Sequence, residues 1–175
     1  MNETLPTVYL AVLLALLSLT ALFVFQQIFK VRRTEGRLSK LESKLKKEKG
    51  TSQEYYELGG MYLDKKMFVQ ASKLFEKALK TGDEVEAENK ALIYNGLGYS
   101  YFANEQCDLA IRQYKEALQC NPEYIVALNN LGFAYERKKL TSQALEVYEE
   151  TLKLDPKNSV AKRRAESLRK RLAPT

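Results

Sequence analysis

Residues 94–102 read YNGLGYSYF, and residues 128–136, thirty-four positions later, read LNNLGFAYE. Both segments place Leu-Gly before an aromatic residue and follow it with a tyrosine, so that Gly98 aligns with Gly132 and Tyr101 with Tyr135. Self-similarity at a fixed period of about 20–50 residues indicates a repeat protein, in which each repeat is one supersecondary unit stacked on its neighbours. The duplicated segment therefore predicts the fold and sets the register for the rest of the chain.

The period extends well beyond the quoted residues. A small residue, an aromatic residue and a proline also recur at the same spacing: Ala110 and Ala144, Tyr114 and Tyr148, Pro122 and Pro156. A third copy lies upstream around Gly59, 39 residues before Gly98, and the five additional residues fall within the acidic stretch 81–89. Three helical hairpins are therefore expected, with an insertion between the first two.

This order of residue types resembles the tetratricopeptide repeat, whose signature is an aromatic residue or Leu, then Leu-Gly, Tyr, Ala, an aromatic residue, Ala and Pro at fixed offsets. The resemblance covers residues 52–156. It implies an all-α fold class, with a right-handed superhelix of three helix pairs at about 52–90, 91–124 and 125–158. Residues 157–175 are expected to form a capping helix that seals the last repeat.

The repeat register also assigns structural roles. We expect Gly98 and Gly132 to be small so that helix backbones can approach each other. Asn121 is expected to be the N-cap of the next helix, with Pro122 at its first position. Four tyrosines are expected to fill the core: Tyr101, Tyr114, Tyr135 and Tyr148.

In tetratricopeptide proteins the first helix of each pair lines a concave groove, so the resemblance implies a partner-binding surface here. Asn can donate to and accept from a peptide backbone, and Tyr and Phe are efficient anchors. The co-chaperone clamp that grips a carboxylate is not matched, because its places are held by Tyr56, Gly60, Gly96, Val126 and Asn130. The implied groove residues are Tyr56, Leu63, Leu92, Asn95, Tyr99, Phe102, Val126, Asn129, Phe133 and Glu136, with Gln53 and Gly60 at the remaining positions.

Residues 8–29 form an uncharged apolar run of 22 residues. As a helix this run would span about 33 Å, which matches a hydrocarbon core. A cleaved signal peptide is the alternative, but no positive charge precedes the run and the bases follow it. We therefore expect residues 1–29 to be a retained transmembrane anchor with the N-terminus outside. The positive-inside rule assigns that orientation to Lys30, Arg32, Arg33 and Arg37.

Residues 30–50 continue as a basic helical stalk, with nine bases and three acids. The heptad-like apolar spacing is under three heptads long, so a solvated stalk is favoured over a coiled-coil dimer. Residues 51–54, TSQE, have the form of a capping box that begins the first repeat.

Charge and composition exclude several functions. Residues 51–156 carry net −5, whereas residues 157–175 carry net +6, so the folded part is not the basic surface expected of a nucleic-acid binder. The chain has no His, no glycine-rich phosphate loop and no cysteine metal set, which argues against an enzyme, a cofactor, a metal or a small-molecule substrate.

Cys107 and Cys120 are interpreted as reduced, packed thiols. The cluster 162–164, KRR, reads as a solvated cap face or, alternatively, as a contact for lipid or an acidic partner.

The whole layout resembles a family of thylakoid membrane-anchored tetratricopeptide proteins of cyanobacteria and algal plastids, implicated in assembly or stability of photosystem I. The resemblance rests on the anchor LPTVYLAVLLALL at residues 5–17, the junction VFQQIFKVRRTEGRLSKL at 24–41, and the three repeats. It implies a non-enzymatic scaffold with photosystem I subunits or assembly factors as partners. The repeats would lie on the stromal or cytoplasmic side. The alternative is a general bacterial inner-membrane adaptor for secretion or envelope assembly.

Overall fold

The computed structural model describes residues 4–172, with side chains from residue 7, and the regular structure in this range is helical. Contacts divide the chain into an N-terminal unit up to Lys47 and a second unit from Glu48 onward. The expected all-α fold is confirmed. In chain order the helices are α1 Thr4–Lys47, α2 Ser52–Asp64, α3 Phe68–Leu79, α4 Ala87–Ala103, α5 Cys107–Cys120, α6 Ile125–Arg137, α7 Thr141–Leu154 and α8 Ser159–Leu172.

The N-terminal unit is the single helix α1, which contains both the apolar run and the basic stalk without a break. Its hydroxyl groups are satisfied within the helix: Ser18 Oγ donates to the Leu14 carbonyl at 2.8 Å, and Thr20 Oγ1 donates to the Leu17 carbonyl at 2.9 Å. Such bonds lower the cost of placing a hydroxyl in an apolar medium. Among the described residues, α1 is one helix long and apolar enough to cross a membrane.

The second unit begins with the expected capping box. The Thr51 hydroxyl accepts from the Glu54 backbone N–H at 3.3 Å, and the Glu54 carboxylate accepts from the Thr51 N–H at 3.1 Å. A second carboxylate, that of Asp83, accepts from the Ser52 N–H at 2.6 Å. These acceptors satisfy N–H groups that the first turn of a helix leaves unpaired.

Helices α2 to α7 pack as successive neighbours, α2 with α3, α4 with α5 and α6 with α7, and α8 packs against α7. Ala161, Ala165 and Leu168 of α8 are buried against the last repeat. The apolar side of α8 thus covers the end of the core, which is the arrangement a terminal repeat needs.

The turn of each helical hairpin contains one residue in the left-handed backbone conformation at an equivalent position. None of these three residues is glycine. Lys66, Glu105 and Lys139 have φ of 58°, 62° and 59°. In the last of these turns, the Lys139 N–H donates to the Glu136 carbonyl at 2.9 Å and the Leu140 N–H donates to the Tyr135 carbonyl at 2.9 Å. This pair of bonds is the Schellman motif, which closes the helix end.

The structural role expected for the recurring glycines, Gly98 and Gly132, needs correction. A Cβ on Gly98 would come within 2.7 Å of the Tyr114 ring, and one on Gly132 within 2.6 Å of the Tyr148 ring. The glycines therefore accommodate an aromatic ring from the second helix of the pair, rather than a close approach of two helix backbones. Phe75 occupies the same place in the first repeat, 2.8 Å from a Cβ on Gly59.

Three of the four expected core tyrosines are buried: Tyr114, Tyr135 and Tyr148. Tyr101 is instead only partly buried. Its hydroxyl donates to Glu76 Oε1 at 2.6 Å. Burial and this carboxylate raise the pKa of Tyr101 to about 12. The Tyr101 ring thus packs against the edge of the core cluster, as expected in part, and its hydroxyl bonds to a charged acceptor.

The expected N-cap role of Asn121 is also wrong. Asn121 follows the last residue of α5, and its N–H donates to the Ala117 carbonyl at 2.9 Å. Its own carbonyl accepts from the Tyr124 N–H at 3.2 Å, which closes a β-turn with Pro122 at the second position. Pro is favoured there because its φ is already set for the turn. Helix α6 consequently begins three residues later than Pro122, at Ile125.

Candidate functional site

Helices α2, α4 and α6 together line a central pocket of ≈ 350 Å³. Six of the ten groove residues expected from the sequence lie in its wall: Tyr56, Leu63, Leu92, Asn95, Tyr99 and Val126. Gly60, Gly96, Phe75, Tyr124 and Asn130 complete the lining.

The central pocket exposes large apolar side chains. Tyr99 is 45% exposed and Val126 is 51% exposed, although both belong to helices whose other faces are buried in the core. Aromatic side chains that remain accessible in a concave site are the usual anchors of protein interfaces. The wall of this pocket therefore has the chemistry needed to bind a partner segment.

A chain of side-chain hydrogen bonds crosses the pocket from α6 to α4 and back. Asn130 Nδ2 donates to Asn95 Oδ1 at 2.9 Å, and Asn95 Nδ2 donates to the Tyr124 hydroxyl at 3.4 Å. Burial raises the pKa of Tyr124, so the phenol keeps its proton at physiological pH. The amide of Asn95 is therefore engaged on both sides, and Asn130 and Tyr124 add polar groups to the pocket beside the two amides expected from the sequence, Asn95 and Asn129.

Asn129 lines none of the pockets described here, and its buried Oδ1 has no hydrogen-bond partner among the described residues. On α6, Val126, Asn129 and Phe133 have the same i, i+3, i+7 spacing as Leu92, Asn95 and Tyr99 on α4, and at 100° per residue Asn129 and Asn130 lie on opposite sides of the Val126–Phe133 line. Of the two amides, Asn130 is the one that lines the central pocket and bonds to Asn95.

A second pocket of ≈ 430 Å³ contains the remaining expected groove residues, Phe102, Phe133 and Glu136, together with Arg137 and Arg164. We call it the arginine–phenylalanine pocket. The Arg164 guanidinium lies 5.2 Å from the Phe133 ring centre and that of Arg137 lies 5.9 Å from the Phe102 ring centre. Cations stacked on aromatic faces at this distance are held by the ring quadrupole.

Glu136 is the acid of the arginine–phenylalanine pocket, and it is engaged on two sides. Its Oε1 accepts from the Tyr148 hydroxyl at 2.8 Å, and its Oε2 lies 3.5 Å from Arg164 Nη1. Burial, followed by the hydrogen bond to Glu136, raises the pKa of Tyr148. Phe133 also packs edge-on against Tyr148, with ring centres 6.1 Å apart, so it belongs to both the pocket and the core.

A third pocket of ≈ 460 Å³ lies at the N-terminal ends of α2 and α4. We call it the acidic pocket, because Asp83, Glu84 and Glu86 line it together with Tyr56 and Leu92. Gln53, expected at a groove position, is part of this wall. The inserted stretch between the first two repeats thus contributes directly to the surface.

In the part of the chain that the structure describes, no group of three His, Cys, Asp or Glu residues is placed to hold a metal ion. Cys107 and Cys120 are free thiols, and burial raises the pKa of Cys120, which lowers its reactivity.

Family models identify the class of protein. One described as TPR repeat matches residues 98–139, and one described as tetratricopeptide repeat matches residues 125–158. Among solved structures, MamA is similar with a TM-score of 0.72 and 22% identity, over 78% of this chain and 77% of that chain. YrrB, a TPR protein with an unusual peptide-binding site, is similar with a TM-score of 0.69 and 24% identity, over 81% of this chain and 71% of that one. At these identities the structural likeness establishes the fold, and the chain is a tetratricopeptide repeat protein.

Curated relatives narrow the class to one family. The ycf37 protein of Cyanophora paradoxa is 40% identical over 66% of this chain, and the match spans 64% of that relative, just under two thirds of its length. The ycf37 protein of Guillardia theta is 33% identical over 73% of this chain and 72% of the relative. The chloroplastic tetratricopeptide repeat domain-containing protein PYG7 of Arabidopsis thaliana is 34% identical over 68% of this chain and 39% of its own. The chain belongs to the ycf37 family.

Proposed function

We propose that this protein is a membrane-anchored, non-enzymatic scaffold that binds protein partners in its groove and assists the assembly or stability of photosystem I. The observation that carries the binding role is the central pocket, where Tyr99 and Val126 remain exposed on helices whose opposite faces are buried in the core. Tetratricopeptide repeats are protein-interaction modules, and such an exposed concave apolar wall matches that use.

The photosystem I role rests on family membership. The relatives come from plastid-bearing organisms, and the one from Arabidopsis is named as chloroplastic. The anchor and junction segments at residues 5–17 and 24–41 carry the resemblance to thylakoid proteins implicated in photosystem I assembly. Photosystem I subunits or their assembly factors are the partners that this family resemblance favours.

The anchoring role rests on α1. Its apolar run is followed at once by Lys30, Arg32 and Arg33. By the positive-inside rule these bases hold the repeats on the stromal or cytoplasmic side of the thylakoid, and they attract anionic headgroups at about 1 kcal/mol each. An anchored chain would be confined to the membrane in which its proposed partners are inserted.

The absence of catalysis is part of the proposal. The chain has no His, and the three pockets described above are open depressions rather than enclosed sites. Acidic and basic groups in the arginine–phenylalanine pocket pair with each other or stack on rings. Binding of a partner segment uses these groups without a chemical step.

Immunoprecipitation of the epitope-tagged full chain from mildly solubilised thylakoids tests the proposal. Photosystem I subunits or assembly factors are expected in the precipitate, and an untagged strain gives the background. Recovery of secretion or envelope components in their place would favour the alternative adaptor and overturn the photosystem I role.

Membrane topology is tested separately. Alkaline carbonate washing should leave the chain in the membrane pellet, because a spanning helix is not released by charge repulsion. Added protease should digest the repeats of intact thylakoids, whose stromal face is outside. Release by carbonate would contradict the anchor, and protection from protease would contradict the orientation.

A further inference from the structure

The groove is charged with opposite signs at its two ends. The arginine–phenylalanine pocket contains Arg137 and Arg164, whereas the acidic pocket is lined by Asp83, Glu84 and Glu86. We propose that the groove binds an extended partner segment of about eight residues, whose acidic end lies in the arginine–phenylalanine pocket and whose basic end lies in the acidic pocket. This inference rests on the proposed scaffold function and adds the chemistry and placement of the segment that is bound.

Arg164 is held in position but not saturated. Its ring contact with Phe133 and its single long contact with Glu136, at 3.5 Å, fix the plane of the guanidinium. Its buried Nε has no hydrogen-bond partner among the described residues. A guanidinium has five N–H donors in a fork that fits a carboxylate. An incoming carboxylate would therefore find an oriented cation with donors to spare.

Arg137 adds a second positive charge at the same pocket. Its guanidinium lies over Phe102 and also 3.6 Å from Glu105, but both side chains of that ion pair are largely exposed. An exposed ion pair contributes little, so Glu105 is readily replaced by another carboxylate. Since Glu136 is already engaged by Tyr148 and Arg164, the two arginines leave the pocket with a positive balance.

The opposite end has the complementary composition. The lining of the acidic pocket contains three carboxylates and no Lys or Arg. Ser52 in the same wall is 5% exposed, and its Oγ has no hydrogen-bond partner within the described residues. The ammonium of Lys49, in the preceding segment, donates a hydrogen bond to the Thr81 carbonyl at 2.9 Å. This base is therefore engaged by the backbone. The acidic pocket thus offers carboxylate charge to a basic side chain.

Helix α4 sets the length of the bound segment, because it contributes to all three pockets in chain order. Asn89 and Leu92 line the acidic pocket, Asn95 and Tyr99 line the central pocket, and Phe102 lines the arginine–phenylalanine pocket. Asn89 and Phe102 are about 20 Å apart at 1.5 Å per residue. Extended chain rises about 3.3 Å per residue, so six residues cover the span and eight reach into both ends. The middle of the segment must be apolar to pack on Tyr99.

Peptide binding to the full chain in detergent tests the proposal. The probe is a fluorescent eight-residue peptide with two lysines at one end, two glutamates at the other, and Leu and Phe between them. A second probe replaces the glutamates with glutamine. Arg164→Gln should weaken the first probe about tenfold, the effect of losing one charge-assisted hydrogen bond, and should leave the second probe unchanged. Arg163→Gln, an exposed neighbour on α8, is the matched control and should have no effect.

The acidic end has its own pair of measurements. A third probe replaces the lysines with glutamine, and Glu84→Gln together with Glu86→Gln should weaken the first probe several-fold without affecting the third. Circular dichroism melting checks that each variant keeps the wild-type fold.

The outcomes separate the inference from the scaffold function. Equal binding of all three probes, no binding of the first, or equal losses in Arg163→Gln and Arg164→Gln would overturn the charge placement. Such a result would leave the scaffold role standing if thylakoid partners still co-precipitate with the chain. Displacement of the first probe by millimolar inorganic phosphate, or Arg164-dependent binding to vesicles of anionic lipid, would instead assign the pocket to phosphate groups and contradict the peptide proposal.

Discussion

The ring of Tyr114 lies directly against the backbone of Gly98, so that a methyl group on Gly98 would come within 2.7 Å of ring carbon Cδ1. Tyr114 is 1% exposed, so its ring is enclosed in the core. The same contact, between Gly132 and Tyr148, recurs one repeat later. These two contacts explain why the duplicated segments keep glycine inside a helix, where it is otherwise unfavourable.

Gly98→Ala should therefore destabilise the fold by about 1–3 kcal/mol, the usual cost of overpacking a core. Gly60→Ala is the matched control, because a Cβ there has nothing within 4 Å, and it should stabilise α2 by up to about 1 kcal/mol. Chemical denaturation in detergent measures both. Similar free energies of unfolding for the two variants would show that the contact with the Tyr114 ring does not limit the size of the residue at position 98.

The Tyr101 hydroxyl bond to Glu76 predicts a dependence of stability on alkaline pH. The folded pKa of Tyr101, about 12, lies above its unfolded value of about 10, so this group stabilises the fold fully below pH 10 and loses that contribution as the pH rises toward 12. Tyr101→Phe should be less stable than wild type at pH 7 by about 1 kcal/mol, a value reduced because the pair is partly exposed. The difference between the two proteins should shrink between pH 10 and 12. A constant difference over that range would show that the hydroxyl does not titrate against Glu76.

The amide bond between Asn130 and Asn95 should couple their contributions to stability. Each single alanine variant is expected to lose about 1 kcal/mol, because the other amide is left without its partner. The double variant should lose less than the sum of the two, and a double-mutant cycle of unfolding free energies measures the difference. Strict additivity would mean that the bond does not contribute.

The left-handed turn residues predict a stabilising substitution. Lys139 has φ of 59°, a conformation that costs an ordinary residue about 1–2 kcal/mol and glycine much less. Lys139→Gly should raise the free energy of unfolding by up to about 1 kcal/mol, while Lys139→Ala should not. Thermal melting compares the two, and a lower melting temperature for the glycine variant would contradict the assigned turn.

Much of this fold follows from the sequence because a period of thirty-four residues fixes helix faces directly. The capping box at Thr51 was expected from its local motif, the burial of Tyr114 and Tyr148 from the repeat spacing, and six lining residues of the central pocket from the tetratricopeptide resemblance. Within one helix, spacing determines which side chains share a face, and the helix is rigid enough for that inference to hold.

The incorrect predictions concern features that depend on how one helix is connected to, or packs against, another. Asn121 and Pro122 have the sequence signature of a helix start, but they are the first two residues of the four-residue turn that connects α5 to α6. Arg164 belongs to a basic cluster that reads as a solvated face, yet it contacts Phe133, thirty-one residues earlier, across α8 and α6. No periodicity within a helix encodes such a contact.

Groove binding is the central claim, and Tyr99 tests it most directly. Tyr99→Ala removes an exposed anchor from the central pocket, whereas Val69→Ala removes a comparably exposed apolar side chain from α3, outside the pockets described. Both variants should keep unfolding free energies within about 0.5 kcal/mol of wild type. Quantitative immunoprecipitation from solubilised thylakoids should then recover at least tenfold less of the bound partners with Tyr99→Ala and wild-type amounts with Val69→Ala. Undiminished recovery with Tyr99→Ala would contradict the assignment of this groove as the partner-binding surface.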